Sequence, residues 1–157
     1  MGSCSLSMQV GEPVDLADMF CRVEAIPREV VLPLFERVKT WDGPKEYMEH
    51  LETLNLGPNV ASFVGHSTIR AAAMGMERAL SGDRPTQAEQ GQMDAWLHEA
   101  LDAGAVGLSI STLPWDKMDG EEFRSRPMPS CFGTWREYRH LAGILRERGS
   151  VLQAIPN

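Results

Sequence analysis

Four residues carry most of the chemistry that this sequence can be read for: Cys4, His66, Ser67 and Arg70. A thiolate is a strong, soft metal ligand, and a lone cysteine is also a small apolar core residue; both readings of Cys4 stay open on its residues alone. His66, Ser67, Thr68 and Arg70 follow directly on the apolar run Ala61 to Val64. An apolar run that opens into Gly-His-Ser-Thr-x-Arg reads as a buried strand with a polar mouth. In parallel α/β sheets, residues just past the C-terminal ends of strands line the ligand site. Ser67 is read as the cap of a short helix over 68–74, whose first amides would face an anion such as a substrate carboxylate. The alternative is that His66 hydrogen-bonds neighbouring loops and fixes their position. Ser109, Ser111 and Thr112 close a second apolar run, and Trp115, Asp116 and Asp119 follow it. There is no GxSxG elbow to support a serine hydrolase, and no GxGxxG or P-loop for a nucleotide.

The elements that must position these residues are clearest in the second half. Thr86 and Glu89 have capping-box spacing, as do Thr134 and Glu137. Met93, Trp96, Leu97, Ala100 and Leu101 follow the first box at helical spacing; Trp135, Tyr138, Leu141, Ala142 and Leu145 follow the second. Gly104 and Gly149 stand where helices end, before the apolar runs 106–111 and 151–155. Helix, glycine, strand, repeated, implies a parallel sheet. The first half is looser. It reads as a strand end at 3–8, a helix over 14–23, and a helix from Pro27 to Val38 that Pro33 should kink or interrupt. A helix over 44–54 comes before a strand at 59–66. Leu113 to Phe132 reads as a long loop over the sheet. The expectation is an α/β fold with about four parallel strands and alternating helices, in a single unit spanning 1–157.

Composition bounds the rest. The 157 residues suffice for one core, at 43% hydrophobic and 24% charged. A net charge of −7 argues against a nucleic-acid surface. Arg136, Arg139, Arg146 and Arg148 read as a solvated helix face. No apolar run is long enough to span a bilayer, and the first residues lack the pattern of a secretory signal. Three scattered cysteines form no disulfide framework, so a reducing cytoplasm is expected. His50, His98 and His140 make no HxH or HxxxH pair and read as solvated helix positions.

Several stretches resemble one family in the same order along the chain. Met1 to Ser7, MGSCSLS, is similar to the "MGNCGxS" turn of the N-acyl-D-amino-acid deacylase branch of the amidohydrolase superfamily, with Ser3 and Ser5 replacing its Asn and Gly. NVASFVGHSTIRAAAMG, residues 59–75, is similar to that branch's "NVAxxVGHSxLRxxxMG". Arg84 to Thr86, Glu89, Met93 and EALDAGAVGLS at 99–109 resemble its next motifs. The resemblance implies part of a metal-dependent (β/α)8 barrel, its central segment from about the second to the fifth strand. It implies hydrolysis of a non-peptide carbon–nitrogen bond, such as the amide of an N-acyl-D-amino acid. It implies zinc with Cys4 as a ligand, and His66, Ser67 and Arg70 as rim or substrate contacts. The family's HxH pair, later histidine ligand and catalytic aspartate have no counterpart here. Ile155 falls where the main branch carries another histidine ligand. A barrel takes about 250 residues, so this chain alone is expected to be inactive. The competing expectation is a non-catalytic or partner-dependent α/β module, self-associating through open sheet edges.

Overall fold

The computed structural model describes residues 7–155. Helices α1 (Pro13–Phe20), α2 (Arg28–Val38) and α3 (Pro44–Thr53) come first. Strand β1 (Phe63–Gly65) runs straight into α4 (His66–Met74), followed by the short α5 (Met76–Ala79) and the long α6 (Gln87–Asp102). Strand β2 (Gly107–Ser111), a 3-10 turn at Pro129–Phe132, α7 (Trp135–Arg148) and β3 (Val151–Ile155) complete the order.

The three strands form one parallel sheet in the order β1-β2-β3. About four strands were expected; three are present among the described residues. The expected strand end at 3–8 lies mostly outside them, and Ser7 and Met8 are irregular. Ser7 nevertheless runs beside β1: its Oγ accepts from the Gly65 amide at 2.7 Å and its carbonyl accepts from Thr68 Oγ1 at 3.0 Å.

Strand alternation gives the sheet two different faces. Val64, Leu108 and Leu152 stand in register, and Val64 and Leu108 are fully buried. Val64 and Leu108 pack with Met93, Leu97 and Ala100 of α6 and Leu141 and Leu145 of α7, so the helical stripes read from the sequence cover β1 and β2. Trp135 and Ala142 stay outside this cluster, and Trp135, the first residue of α7, is 73% exposed. Gly65, Ser109 and Gln153 share the opposite face in register. Strand β3 is the outer strand on its side, with Val151, Leu152 and Ile155 all exposed.

Thr86 makes the full reciprocal capping box with Glu89. Gly149 ends α7 at φ 63° and ψ 27°, a left-handed position that glycine adopts without steric cost. Helix α2 continues through Pro33 instead of breaking there. Pro33 costs the helix the one amide bond that would reach the Glu29 carbonyl, and the turns on either side persist. A second apolar cluster sits apart from the sheet. It joins Leu16 and Met19 of α1 and Ala71 and Met74 of α4 to Met76, Ala79 and Leu80 and to Met118 and Met128 of the 113–132 loop.

Candidate functional site

The parallel sheet puts the C-terminal ends of its three strands at one end, so His66, Ser111 and Ile155 mark a common rim. Because α4 begins at His66, Gly65 is its N-cap residue and Ser67 lies inside the first turn. The expected helix over 68–74 with a Ser67 cap is therefore corrected: the strand turns into helix two residues earlier, and the Ser67 hydroxyl bonds Ser130 instead of capping.

His66, Ser67 and Arg70 do come together, and they do so in the interior. All three are wholly buried. His66 and Arg70 share one partner, Glu137, 3% exposed on the first turn of α7, while Ser67 bonds Ser130. Arg70 Nη1 donates to both carboxylate oxygens of Glu137, at 2.8 and 2.6 Å. His66 Nε2 lies 2.8 Å from Glu137 Oε1. A carboxylate held by a guanidinium only accepts, so His66 carries its proton on Nε2 and donates. Its Nδ1 shares a hydrogen bond of 2.9 Å with Ser130 Oγ. Ser67 Oγ donates to Ser130 Oγ at 2.8 Å, and the Ser130 amide donates back to Ser67 Oγ at 3.0 Å. Arg70 also donates from Nε to the Ala79 carbonyl at 3.3 Å and from Nη2 to the Asp83 carbonyl at 2.6 Å. The Tyr138 ring stands edge-on to His66, with centroids 5.1 Å apart. Its hydroxyl donates to the Ser130 carbonyl.

Burial pushes the Glu137 carboxyl up, but the hydrogen bond from His66 and the charges of His66 and Arg70 outweigh it and hold it below its usual range. Glu137 is the residue that sequence reasoning missed. The spacing Thr134-x-x-Glu137 read as a capping box, and half of it forms: Thr134 Oγ1 accepts from the Glu137 amide at 3.2 Å. The carboxylate does not return to Thr134. It turns inward, because a buried guanidinium is a far stronger partner than one exposed amide.

In connectivity, Ser130–His66–Glu137 resembles an acyl-transfer relay. Two features oppose that use. Ser130 is 0% exposed, and the Glu137 carboxylate is engaged on both oxygens by the Arg70 guanidinium.

The fit to zinc is poor in this part of the chain. Among the described residues no group of three or more His, Cys, Asp or Glu side chains could hold a metal. The His66–Glu137 pair is already joined to a cation, Arg70. Cys4 lies outside the described residues. Ile155 ends β3 and offers no ligand. The other histidines sit elsewhere: His140 pairs with Asp94 at 2.7 Å, and His98 lies near Arg148. His50 is not simply solvated; it packs on Trp41 with ring centroids 4.8 Å apart.

Polar groups do gather on the sheet face opposite α6 and α7. Ser109 and Ser111 are buried there, and Ser111 Oγ donates to Asp116 of the following loop at 3.1 Å. The buried Gln153 Oε1 has no hydrogen-bond partner among the described residues. Trp115 is 66% exposed and Asp119 is tied by its amide to the Asp18 carbonyl at 2.7 Å. No described helix is long and apolar enough to cross a membrane.

No family model matches the chain. It is 49% identical over 158 residues to uncharacterized proteins of Mycobacterium tuberculosis and Mycobacterium bovis, with all of this chain and 26% of each relative covered. It is 32% identical over 117 residues to an N-acyl-D-aspartate deacylase of Alcaligenes xylosoxydans xylosoxydans, covering 71% of this chain and 20% of the relative. The fold is similar to that of an N-acyl-D-glutamate deacylase from Bordetella bronchiseptica, solved with zinc and a phosphonate inhibitor mimicking the tetrahedral intermediate. That match has a TM-score of 0.57 and 28% identity over 78% of this chain and 22% of the other. The chain thus spans about a quarter of the length of the proteins it resembles. Sequence and fold agree in relating this segment to the amidohydrolase-like N-acyl-D-amino-acid deacylases.

Proposed function

We propose that this chain is part of the wall of a (β/α)8 barrel in a hydrolase acting on carbon–nitrogen bonds other than peptide bonds, such as the amide of an N-acyl-D-amino acid. The observation that carries this reading is the parallel β1-β2-β3 sheet with the His66 motif at its C-terminal end, in a chain similar in sequence and fold to two deacylases of that substrate class. The exposed apolar side chains of β3 support it, since a strand bearing Val151, Leu152 and Ile155 at an open edge is what an interrupted barrel leaves. In this reading His66, Ser67 and Arg70 act beneath the substrate: they hold the rim in place through Glu137 and Ser130. A ligand would meet the sheet face of Ser109, Ser111 and Gln153, where Ser109 and Ser111 are buried in this structure and Ser111 is bonded to Asp116. The described residues assemble no zinc site, so a metal would be held by Cys4 together with ligands from outside this segment.

The test is a deacylation assay on N-acetyl-D-aspartate, N-acetyl-D-glutamate and neutral N-acetyl-D-amino acids, with and without added zinc. The 157-residue chain alone is expected to be inactive. The full-length mycobacterial relative is expected to be active. Hydrolysis by the isolated chain, or no hydrolysis of any N-acyl amino acid by the relative, overturns the reading.

A second reading is favoured by Ile155 and by the lack of a metal-ligand cluster among the described residues. Here the segment is a non-catalytic α/β module that associates through β3. Size-exclusion chromatography and metal analysis separate the two. Zinc retained by the full-length mycobacterial relative favours the hydrolase; a stable, metal-free relative favours the module.

A further inference from the structure

The 113–132 loop is held to the body of the protein in two chemically different ways. Loops of this length with little regular structure are uncommon in compact domains, and they are often functional. Within it there is only an isolated antiparallel bridge, Lys117 to Pro127, and the turn at Pro129–Phe132. The first attachment is apolar. Met118 and Met128 are buried among Leu16, Met19, Ala71, Met74, Met76, Ala79 and Leu80, so five of the nine buried members of this cluster are methionines. Methionine fills irregular space without demanding one geometry, so such a cluster adheres strongly and specifies position weakly. The second attachment is polar and directional. Along the loop it includes the Asp119 amide donating to the Asp18 carbonyl at 2.7 Å, Arg22 donating to Ser125 Oγ at 2.6 Å and Arg126 donating to the Leu80 carbonyl. At the loop's exit Ser130 bonds Ser67 and His66, and through His66 it reaches Glu137 and Arg70. Three chain segments meet there: the start of α4, the end of the loop and the first turn of α7.

We infer that the Ser130–His66–Glu137–Arg70 chain is a latch that fixes the 113–132 loop as a strap across the C-terminal end of β2. Hydrogen bonds at Ser130 are the buried part of the polar attachment and select the seating of the strap's exit. When they are lost the methionine cluster lets that end shift, while Asp119, Ser125 and Arg126 stay tied to the body. Ser111, already bonded to Asp116 of the strap, is what a shifted strap uncovers. That this opening controls access to a substrate rests on the hydrolase reading; the latch itself does not.

The experiment is hydrogen exchange read by mass spectrometry on the 157-residue chain and its Ser130→Ala variant, without metal or substrate. Alkylation of Cys131 is read at its peptide in parallel. Ser130→Ala is expected to speed exchange over 113–132 and alkylation of Cys131 by about tenfold, with 87–102 unchanged, because local opening precedes global unfolding. Thr134→Ala, which removes the α7 cap and leaves Ser130 in place, is expected to leave Cys131 at its wild-type rate. The latch is overturned if Ser130→Ala exchanges at the wild-type rate, or if 113–132 and 87–102 accelerate together. Since no catalytic readout enters, a failed deacylation assay leaves these outcomes intact.

Discussion

Arg70 and Glu137, 67 positions apart, form a two-oxygen ion pair that no solvent reaches. It joins the helix that leaves β1 to the helix that leads into β3. Burying both charges is costly, and the pair compensates by using nearly every donor that Arg70 has. Glu137 accepts from His66 as well. Such a network adds little net stability over an apolar core, but it allows only one arrangement of its parts.

Removing one partner is therefore the severe change. Glu137→Gln leaves a buried guanidinium without its counter-charge and is expected to cost about 3–5 kcal/mol. Arg70→Met/Glu137→Leu leaves no lone charge in the interior. It is expected to cost less than the sum of the two single changes, Arg70→Met and Glu137→Leu. Urea unfolding of the four variants (Glu137→Gln, Arg70→Met, Glu137→Leu and the double) checks this, and additive single-variant costs would show that the pair is not coupled.

The same carboxylate sets a pH dependence. Its folded pKa lies below the ordinary 4.5, so its contribution is complete above that value and is lost as pH falls through the lower folded value. Asp15 works the other way. Burial and the charges of Asp18, Glu12 and Glu122 raise it above 3.8, so its ionisation opposes folding as pH rises. The urea midpoint of the wild type is expected to drop below pH 4.5. The Glu137→Gln variant should show a visibly flatter acid limb.

How far the sequence could be read follows from where each interaction lies along the chain. The α6 and α7 stripes, the Thr86 cap and the strands 107–111 and 151–155 are local patterns, and they were legible with boundaries off by a residue or two. The gathering of His66, Ser67 and Arg70 was legible as a motif, but its burial was not. Burial depends on Glu137 and Ser130, more than sixty positions away. Glu137 was hidden by an adequate local explanation, its capping-box spacing. The 59–66 strand shrank to Phe63–Gly65 because only those residues find partners in β2.

The two capping boxes make a matched test. Thr86→Ala and Thr134→Ala each remove one bond to an orphan amide, and each is expected to cost about 1 kcal/mol. Their third-position glutamates should diverge. Glu89 pairs with the half-exposed Arg78, so Glu89→Gln is expected to cost below about 1 kcal/mol. Glu137→Gln should cost several times more. Equal costs at the two glutamates would deny Glu137 its interior role.

Two glycines should respond oppositely to the same substitution. Gly91 lies inside α6, and a Cβ there would meet nothing within 4 Å. Gly91→Ala is expected to stabilise by about 0.5–1 kcal/mol, since alanine loses less conformational freedom in a helix. Gly107 opens β2 opposite Val151, and a Cβ there would fall 1.8 Å from the Val151 carbonyl oxygen. The contact is with backbone, so no side chain can swing away. The first β2–β3 pair must separate, and the cost is expected to be about 3 kcal/mol or more. Exchange over 151–155 is expected to lose protection before any change in α1. If Gly107→Ala instead leaves β3 protected, β3 is not seated on β2 as described, and the three-stranded sheet that carries the hydrolase reading loses its outer strand.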